Sequence, residues 1–161
     1  MITKYLPEFK VFEVGSLTGL RAGHVVSQQP AAASIAKKAV GDNNFIENGI
    51  IMGLNVDGEL ANWTKGTMFV HYTEELNTFI DELKYFAVPV EDKTYPRGIA
   101  LYVGDSFCTN NVAAEVENAK YAKVVDGILT LQTASDDDTH FSVKESTLPT
   151  GEKAYDFVYI G

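Results

Sequence analysis

The sequence predicts a mainly β domain of the α+β class, with one amphipathic helix packed on a compact antiparallel β-barrel or sandwich. Three observations favour this fold. Short runs of β-branched and aromatic residues recur along the chain, turn-forming pairs separate them, and one clear stretch repeats its apolar residues with the period of a helix. With 161 residues and 45% apolar side chains, the chain is long enough to bury one hydrophobic core.

The first predicted strand is residues 8–14, EFKVFEV, where successive side chains alternate between two faces. Further strands are expected at residues 25–26, 45–52, 67–72, 99–103, 128–131, 141–143 and 154–160. The last run, AYDFVYI, has apolar residues on both faces, which predicts an internal strand.

Turn signals separate these runs. Asn48-Gly49, Asp57-Gly58, Asp126-Gly127 and Pro149-Thr150-Gly151 each supply a residue that accepts a positive φ or presets a turn. The segment 52–63, MGLNVDGELANW, therefore predicts a hairpin centred on its Asp-Gly pair.

Residues 73–86 differ from the rest because their apolar positions repeat at helical spacing. Thr73 is a suitable N-cap, and Glu74 and Glu75 lie where the helix dipole favours negative charge. A second, short helix is predicted over residues 112–120 from the helix propensity of VAAEVENAK.

The charge divides the chain into two parts. Residues 1–40 hold five basic and two acidic residues, a net charge of +3, whereas residues 41–161 hold eight basic and twenty acidic residues, a net charge of −12. The first part is also rich in glycine and small residues. It is interpreted either as an N-terminal arm or as first strands with a flexible linker, and residues 41–161 as the β-rich body.

Composition argues against several function classes. A net charge of −9 disfavours binding to phosphate backbones and anionic lipid. No apolar run approaches the roughly 18–20 residues of a membrane helix, and the charged start MITKYLPEFK does not resemble a signal peptide. The single cysteine, Cys108, rules out an internal disulfide.

Catalytic and metal-binding motifs are not evident. Cys108 has no motif around it and is interpreted as a small buried residue rather than a nucleophile. His24, His71 and His140 are too widely separated in the sequence to form a metal-binding motif such as His-x-His or HExxH. Gly15, Gly19 and Gly23 lack the Gly-Lys-Ser/Thr of a phosphate-binding loop.

Asp136, Asp138 and His140 alternate in the run DDDTH and would share one side of an extended chain. A calcium loop would add a glycine and a bidentate glutamate, and neither follows in register. A solvated acidic loop is therefore favoured, and binding of a cation is left open. Seven aromatic residues are candidates for lining a ligand pocket, although their placement in predicted strands favours core packing: Trp63, Phe69, Tyr72, Tyr85, Phe86, Tyr95 and Tyr102.

Two stretches, residues 48–63 (NGIIMGLNVDGELANW) and 95–112 (YPRGIALYVGDSFCTNNV), resemble segments of the auxiliary capsid proteins of tailed bacteriophages, also called decoration, cement or minor head proteins. In these proteins a Gly-Asp turn, an aromatic residue and Thr-Asn follow a strand. Here these residues are Gly104-Asp105, Phe107 and Thr109-Asn110.

The resemblance implies a non-enzymatic virion structural protein, without a cofactor or metal, that is assembled in the host cytoplasm and lies on the capsid surface. The expected partner is the major capsid protein or a neighbouring virion protein, and the expected state is a homo-oligomer. The first strand would bind by adding to a partner sheet. Its candidate contact residues are Phe9, Val11, Phe12 and Val14. The alternatives are a tail, fibre or baseplate adaptor, or a small hydrolase or ligand-binding β-barrel using Cys108 or the aromatic residues.

Overall fold

The computed structural model describes residues 10–40, 43–73, 87–89, 94–148 and 151–161. Within these residues the chain forms fourteen strands and one five-residue helix. They are β1 (Phe12–Ser16), α1 (Thr18–Ala22), β2 (Val25–Val26), β3 (Lys38–Val40), β4 (Asn43–Glu47), β5 (Ile51–Leu54), β6 (Leu60–Asn62), β7 (Phe69–His71), β8 (Ala87–Pro89), β9 (Gly98–Ala100), β10 (Ser106–Thr109), β11 (Tyr121–Val125), β12 (Ile128–Gln132), β13 (Phe141–Thr147) and β14 (Lys153–Tyr159).

The strands form three antiparallel sheets. A six-stranded sheet has the order β1-β10-β14-β13-β11-β12, a five-stranded sheet the order β2-β9-β7-β5-β6, and a three-stranded sheet the order β3-β4-β8. Together they make a half-barrel, which confirms the prediction of a mainly β, antiparallel fold.

The main core lies between the six-stranded and five-stranded sheets. Phe107 is at its centre, and its ring centroid lies 5.0 Å from that of Phe12 and 5.4 Å from that of Phe157. Ile51 and Ile99, in the five-stranded sheet, are fully buried against this aromatic group. Burial of such large apolar side chains is the main stabilising contribution to the fold.

The C-terminal strand β14 is internal, as predicted, because it pairs with β10 on one side and β13 on the other. Tyr155 and Phe157 are buried in the core, whereas Asp156 is exposed and Val158 is 37% exposed. The second face is therefore covered only at Ala154, which is fully buried, and the rest of it points to solvent.

Two hairpins follow their predicted turns. In the first, β5 pairs with β6, and the Asn55 side chain accepts hydrogen bonds from the backbone N–H groups of Asp57 and Glu59. In the second, β11 pairs with β12 through Asp126 and Gly127, both with positive φ. The Asp-Gly pair predicted this turn, but no strand was predicted at β11.

The predicted helix over residues 112–120 is wrong. Val112 makes a parallel bridge to Leu129 and Asn118 has a positive φ, so the segment runs along the sheet as turns and irregular chain. The predicted helix over residues 73–86 lies outside the described residues, apart from Thr73. Helix α1 was not predicted, and it ends at Gly23, whose φ of 74° is left-handed.

The first forty residues contribute to more than one sheet. β1 is in the six-stranded sheet, whereas β2 pairs with β9 in the five-stranded sheet. The alanine-rich stretch then lies against β6, where the Ala32 N–H donates to the Leu60 carbonyl at 2.9 Å. Ile35, at the end of this stretch, is only 3% exposed.

Candidate partner-binding site

Strand β1 is the outermost strand of the six-stranded sheet. It pairs with β10 in the register Phe12 to Thr109 and Val14 to Phe107, and no strand among the described residues pairs with its other side. An edge strand of this kind presents backbone N–H and C=O groups to which another chain can add a strand. β1 is therefore the candidate partner-binding site.

The structure places the predicted contact residues differently along this strand. Phe12 is 8% exposed and packs on Phe107 and Tyr72, so it belongs to the chain's own core. Val11 is half-buried directly before the strand, and Val14 is 37% exposed beside the core. Phe9 lies outside the described residues.

Three side chains hold the segment that enters β1. The backbone N–H of Lys10 donates a 2.6 Å hydrogen bond to the Glu47 carboxylate. The backbone N–H of Val11 donates a 2.7 Å hydrogen bond to the side-chain carbonyl of Asn110. The Thr109 hydroxyl donates to the Val11 carbonyl at 2.6 Å. Both backbone hydrogen-bonding groups of Val11 are therefore satisfied by side chains at the end of β10, the strand that already pairs with β1.

A fourth side chain fixes the chain just after β1, at the start of α1. Asp105, which is 2% exposed, accepts hydrogen bonds from both the N–H and the hydroxyl of Thr18, and its second oxygen accepts the N–H of Tyr102. We call Glu47, Asp105, Thr109 and Asn110 the β1 clasp. One member comes from the Gly-Asp turn and two form the Thr-Asn pair, so residues of both motifs determine where β1 lies.

A buried polar network is connected to the β1 clasp through Asn111, whose N–H donates to the Thr109 hydroxyl. Asn111, which is 5% exposed, donates through its side chain to the Asn48 carbonyl at 2.8 Å. The Asn48 side chain in turn accepts the N–H of Thr73 at 3.0 Å. Buried amides and hydroxyls that satisfy each other's hydrogen bonds in this way define one conformation of the surrounding loops.

His71 completes this network and is fully buried. Its Nδ1 lies 2.8 Å from the Glu47 carbonyl, which can only accept, so Nδ1 carries the proton. Its Nε2 lies 2.8 Å from the Thr73 hydroxyl. Burial lowers the pKa of His71 to about 4, although the bond to Glu47 opposes this shift. At neutral pH His71 is therefore an uncharged structural residue.

Cys108 lies on the outward face of the six-stranded sheet, opposite Glu13 on one side and Asp156 on the other. Burial and then the Asp156 carboxylate raise the pKa of the thiol from 9.0 to about 11. A nucleophilic cysteine requires the opposite environment, with a base or positive charge that favours the thiolate. This geometry supports a structural interpretation of Cys108.

The acidic run 136–138 forms a self-contained loop. Asp136 accepts hydrogen bonds from the side chain of Gln132 and from the N–H of Asp138, and these bonds lower the pKa of its carboxyl. His140 does not turn toward this carboxylate: its Nδ1 faces the Gly161 carbonyl at 3.3 Å and its ring packs against Trp63. Within the described ranges no group of three His, Cys, Asp or Glu side chains has the geometry to hold a metal ion.

The predicted aromatic set is dispersed rather than gathered around one pocket. Phe69 is buried in a second apolar cluster, Tyr72 packs on Phe12, and Tyr95 and Tyr102 are 48% and 40% exposed. Tyr85 and Phe86 lie outside the described residues. Trp63 lines a shallow depression beside the β11–β12 hairpin.

The chain matches no protein-family model, no curated protein and no solved structure. Among the residues that the structure describes, no helix combines the length and the apolar character that crossing a bilayer requires.

Proposed function

We propose that this protein is a non-enzymatic structural protein of a bacteriophage virion that binds the capsid surface and stabilises or decorates the head. The observation that supports this proposal is strand β1, an exposed edge strand whose two ends are fixed by the β1 clasp. A strand held in this way is ready to pair with a strand of the major capsid protein or of a neighbouring virion protein.

The exposure along β1 supports strand addition. Phe12 anchors the strand in the core, while residues 13–16 are all exposed. A strand paired to the outer side of β1 would extend the sheet, and its inward-facing side chains would cover Val14, now 37% exposed. Because the backbone of β1 is already ordered, little conformational entropy is lost on binding.

The segment interpreted as an N-terminal arm, residues 1–40, includes β1, and its first residues would add to this contact. Their contribution is best tested by deleting residues 1–9 only. A longer deletion would remove Phe12 and Leu17, which are 8% and 2% exposed and belong to the core. Such a deletion would unfold the sheet and report on stability rather than on binding.

The direct test is co-sedimentation of the purified protein with undecorated phage capsids. Wild-type protein should sediment with the capsids at micromolar concentration, and Val14→Lys should weaken binding about tenfold or more, because it places a charge where the partner strand packs. Val56→Lys is the matched control, since Val56 is 101% exposed on the distant β5–β6 turn.

The proposal fails if the wild-type protein stays in the supernatant with every capsid tested, or if Val56→Lys reduces binding as much as Val14→Lys does. Electron microscopy of virions in which this protein is labelled shows whether the protein lies on the head or on the tail. A label on the tail, a fibre or the baseplate would favour the adaptor alternative instead.

A further inference from the structure

A shallow depression of about 440 Å³ lies between the end of β6 and the β11–β12 hairpin. Its walls include Trp63, Lys123, Asp126, Asp138 and His140. Its volume is within the range typical of sites for small molecules. The depression is separate from β1, so a ligand bound there would be independent of the proposed function.

Trp63 is held in one position at the side of this depression. Its indole N–H donates to the Gly66 carbonyl at 3.1 Å, and its backbone N–H donates to the Ile51 carbonyl at 3.0 Å. The ring of His140 meets the indole nearly at right angles, with centroids 4.9 Å apart. An aromatic surface fixed in this way loses little freedom when a ligand packs on it.

Asn62, the residue before Trp63, also lines the depression and is held by hydrogen bonds. The Asn62 side chain accepts the N–H of Ala36 and donates to the Ser34 carbonyl. It also lies against Gly127, where a Cβ would come within 2.6 Å of its oxygen. The depression is thus bounded by the end of β6, by the β11–β12 hairpin and by the acidic loop that carries Asp138.

The polar groups of the depression carry both signs of charge. Asp126 and Asp138 are exposed, and within the part of the chain that the structure describes their carboxylates accept no hydrogen bond and form no ion pair. Lys123 is on the same hairpin as Asp126, and its Nζ forms an ion pair with Asp136 Oδ2 at 3.4 Å. The two carboxylates would repel an anionic ligand. A quaternary ammonium is usually bound by a cage of several aromatic side chains, whereas this depression has one tryptophan and a positively charged lysine.

We propose that this depression binds a neutral saccharide. A pyranose ring has a C–H face that packs on an aromatic side chain and hydroxyl groups that both donate and accept. Here the indole of Trp63 would take the C–H face, the carboxylates of Asp126 and Asp138 would accept hydrogen bonds from hydroxyls, and Lys123 would donate one. The arrangement suits one or two sugar units at the surface.

The single tryptophan of the sequence gives a direct measurement. The fluorescence of Trp63 is recorded while the methyl glycosides of glucose, galactose, mannose and N-acetylglucosamine are each added up to about 100 mM, a range that covers weak binding. At least one of them should produce a saturable change. Asp126→Asn and Asp138→Asn should each weaken that binding about fivefold or more, the loss of a charge-assisted hydrogen bond.

Both variants should keep the fold. Asn tolerates the left-handed backbone that Asp126 adopts at φ 50°, and the Asp138 side chain is exposed. Asp57→Asn, in the distant β5–β6 turn, is the control and should leave the affinity unchanged. The proposal is overturned if none of the glycosides gives a saturable change, if neither variant weakens binding, or if choline chloride binds more tightly than the glycosides.

Discussion

The Thr109 hydroxyl donates a 2.6 Å hydrogen bond to the backbone carbonyl of Val11, a residue 98 positions earlier in the chain. The same hydroxyl oxygen accepts the N–H of Asn111 at 3.0 Å. One fully buried side chain therefore joins the start of the first strand to the end of β10. The edge strand on which the proposed function depends is held by this contact and its neighbours in the β1 clasp.

Thr109→Val should destabilise the protein by about 2 kcal/mol, because it keeps the shape of the side chain but leaves the Val11 carbonyl and the Asn111 N–H without their partner. The free energy of unfolding in urea measures the effect. Thr130→Val is the control, since the Thr130 hydroxyl makes only a 3.4 Å contact with Ile128 on its own strand. Equal losses in the two variants would contradict the role given to Thr109.

Gly15→Ala should also destabilise the edge strand. The register of β1 on β10 shifts at this residue, and a Cβ there would lie 2.6 Å from the Ser106 hydroxyl and 2.8 Å from its carbonyl. The backbone of β10 or of β1 must then move, at an expected cost of about 1–3 kcal/mol.

Thermal or urea unfolding tests this expectation, with Glu13→Ala on the same strand as the control. The Glu13 side chain is exposed, so its removal should change stability by less than about 0.5 kcal/mol. A tolerated Gly15→Ala would mean that β1 adjusts freely along its length, which would weaken the case for a rigid edge.

Local pattern was sufficient to predict part of the fold. The hairpin at β5 and β6 and the position of β14 follow from alternation and from an Asp-Gly turn, both of which act over a few residues. Residues 112–120 show the limit of such reasoning. Their helix propensity is a few tenths of a kcal/mol per residue, and the contact of Val112 with Leu129 outweighs it.

The site was harder to predict. The Gly-Asp and Thr-Asn residues were noticed only because of a family resemblance. No local pattern indicates that Asp105 binds Thr18 or that Asn110 binds Val11, because the two residues of each pair are 87 or more positions apart. Glu47 and Asn111 were missed altogether. The available signal was the presence of short polar residues directly after strands, where they meet the backbone of a neighbouring segment.

His71 should make stability depend on pH. Its pKa is about 4 in the folded protein and 6.5 in the reference state, so below pH 6.5 the unfolded chain binds a proton that the folded chain excludes. The stability that neutral His71 contributes is complete above pH 6.5 and is lost as the pH falls toward 4. The loss is at most about 1.4 kcal/mol per pH unit.

Urea unfolding of the wild type and of His71→Asn across this pH range separates His71 from the carboxylates, which titrate in both proteins. The variant should be less stable at neutral pH, with a shallower decline as the pH falls. If the two proteins lose stability in parallel, His71 is not the group responsible.

Cys108 should react slowly with alkylating reagents, because the thiolate is the reacting species and a pKa near 11 reduces its population about a hundredfold relative to a thiol of pKa 9.0. Asp156→Asn removes the carboxylate that opposes ionisation, and it should raise the rate of reaction with iodoacetamide at pH 8 several-fold. The substitution should not return the pKa of the thiol to 9.0, because burial is a larger cause of the raised pKa than Asp156 is. Asp57→Asn, far from the thiol, should leave the rate unchanged. A wild-type rate equal to that of free cysteine would instead indicate an activated thiol, and it would return a catalytic interpretation of Cys108 to consideration.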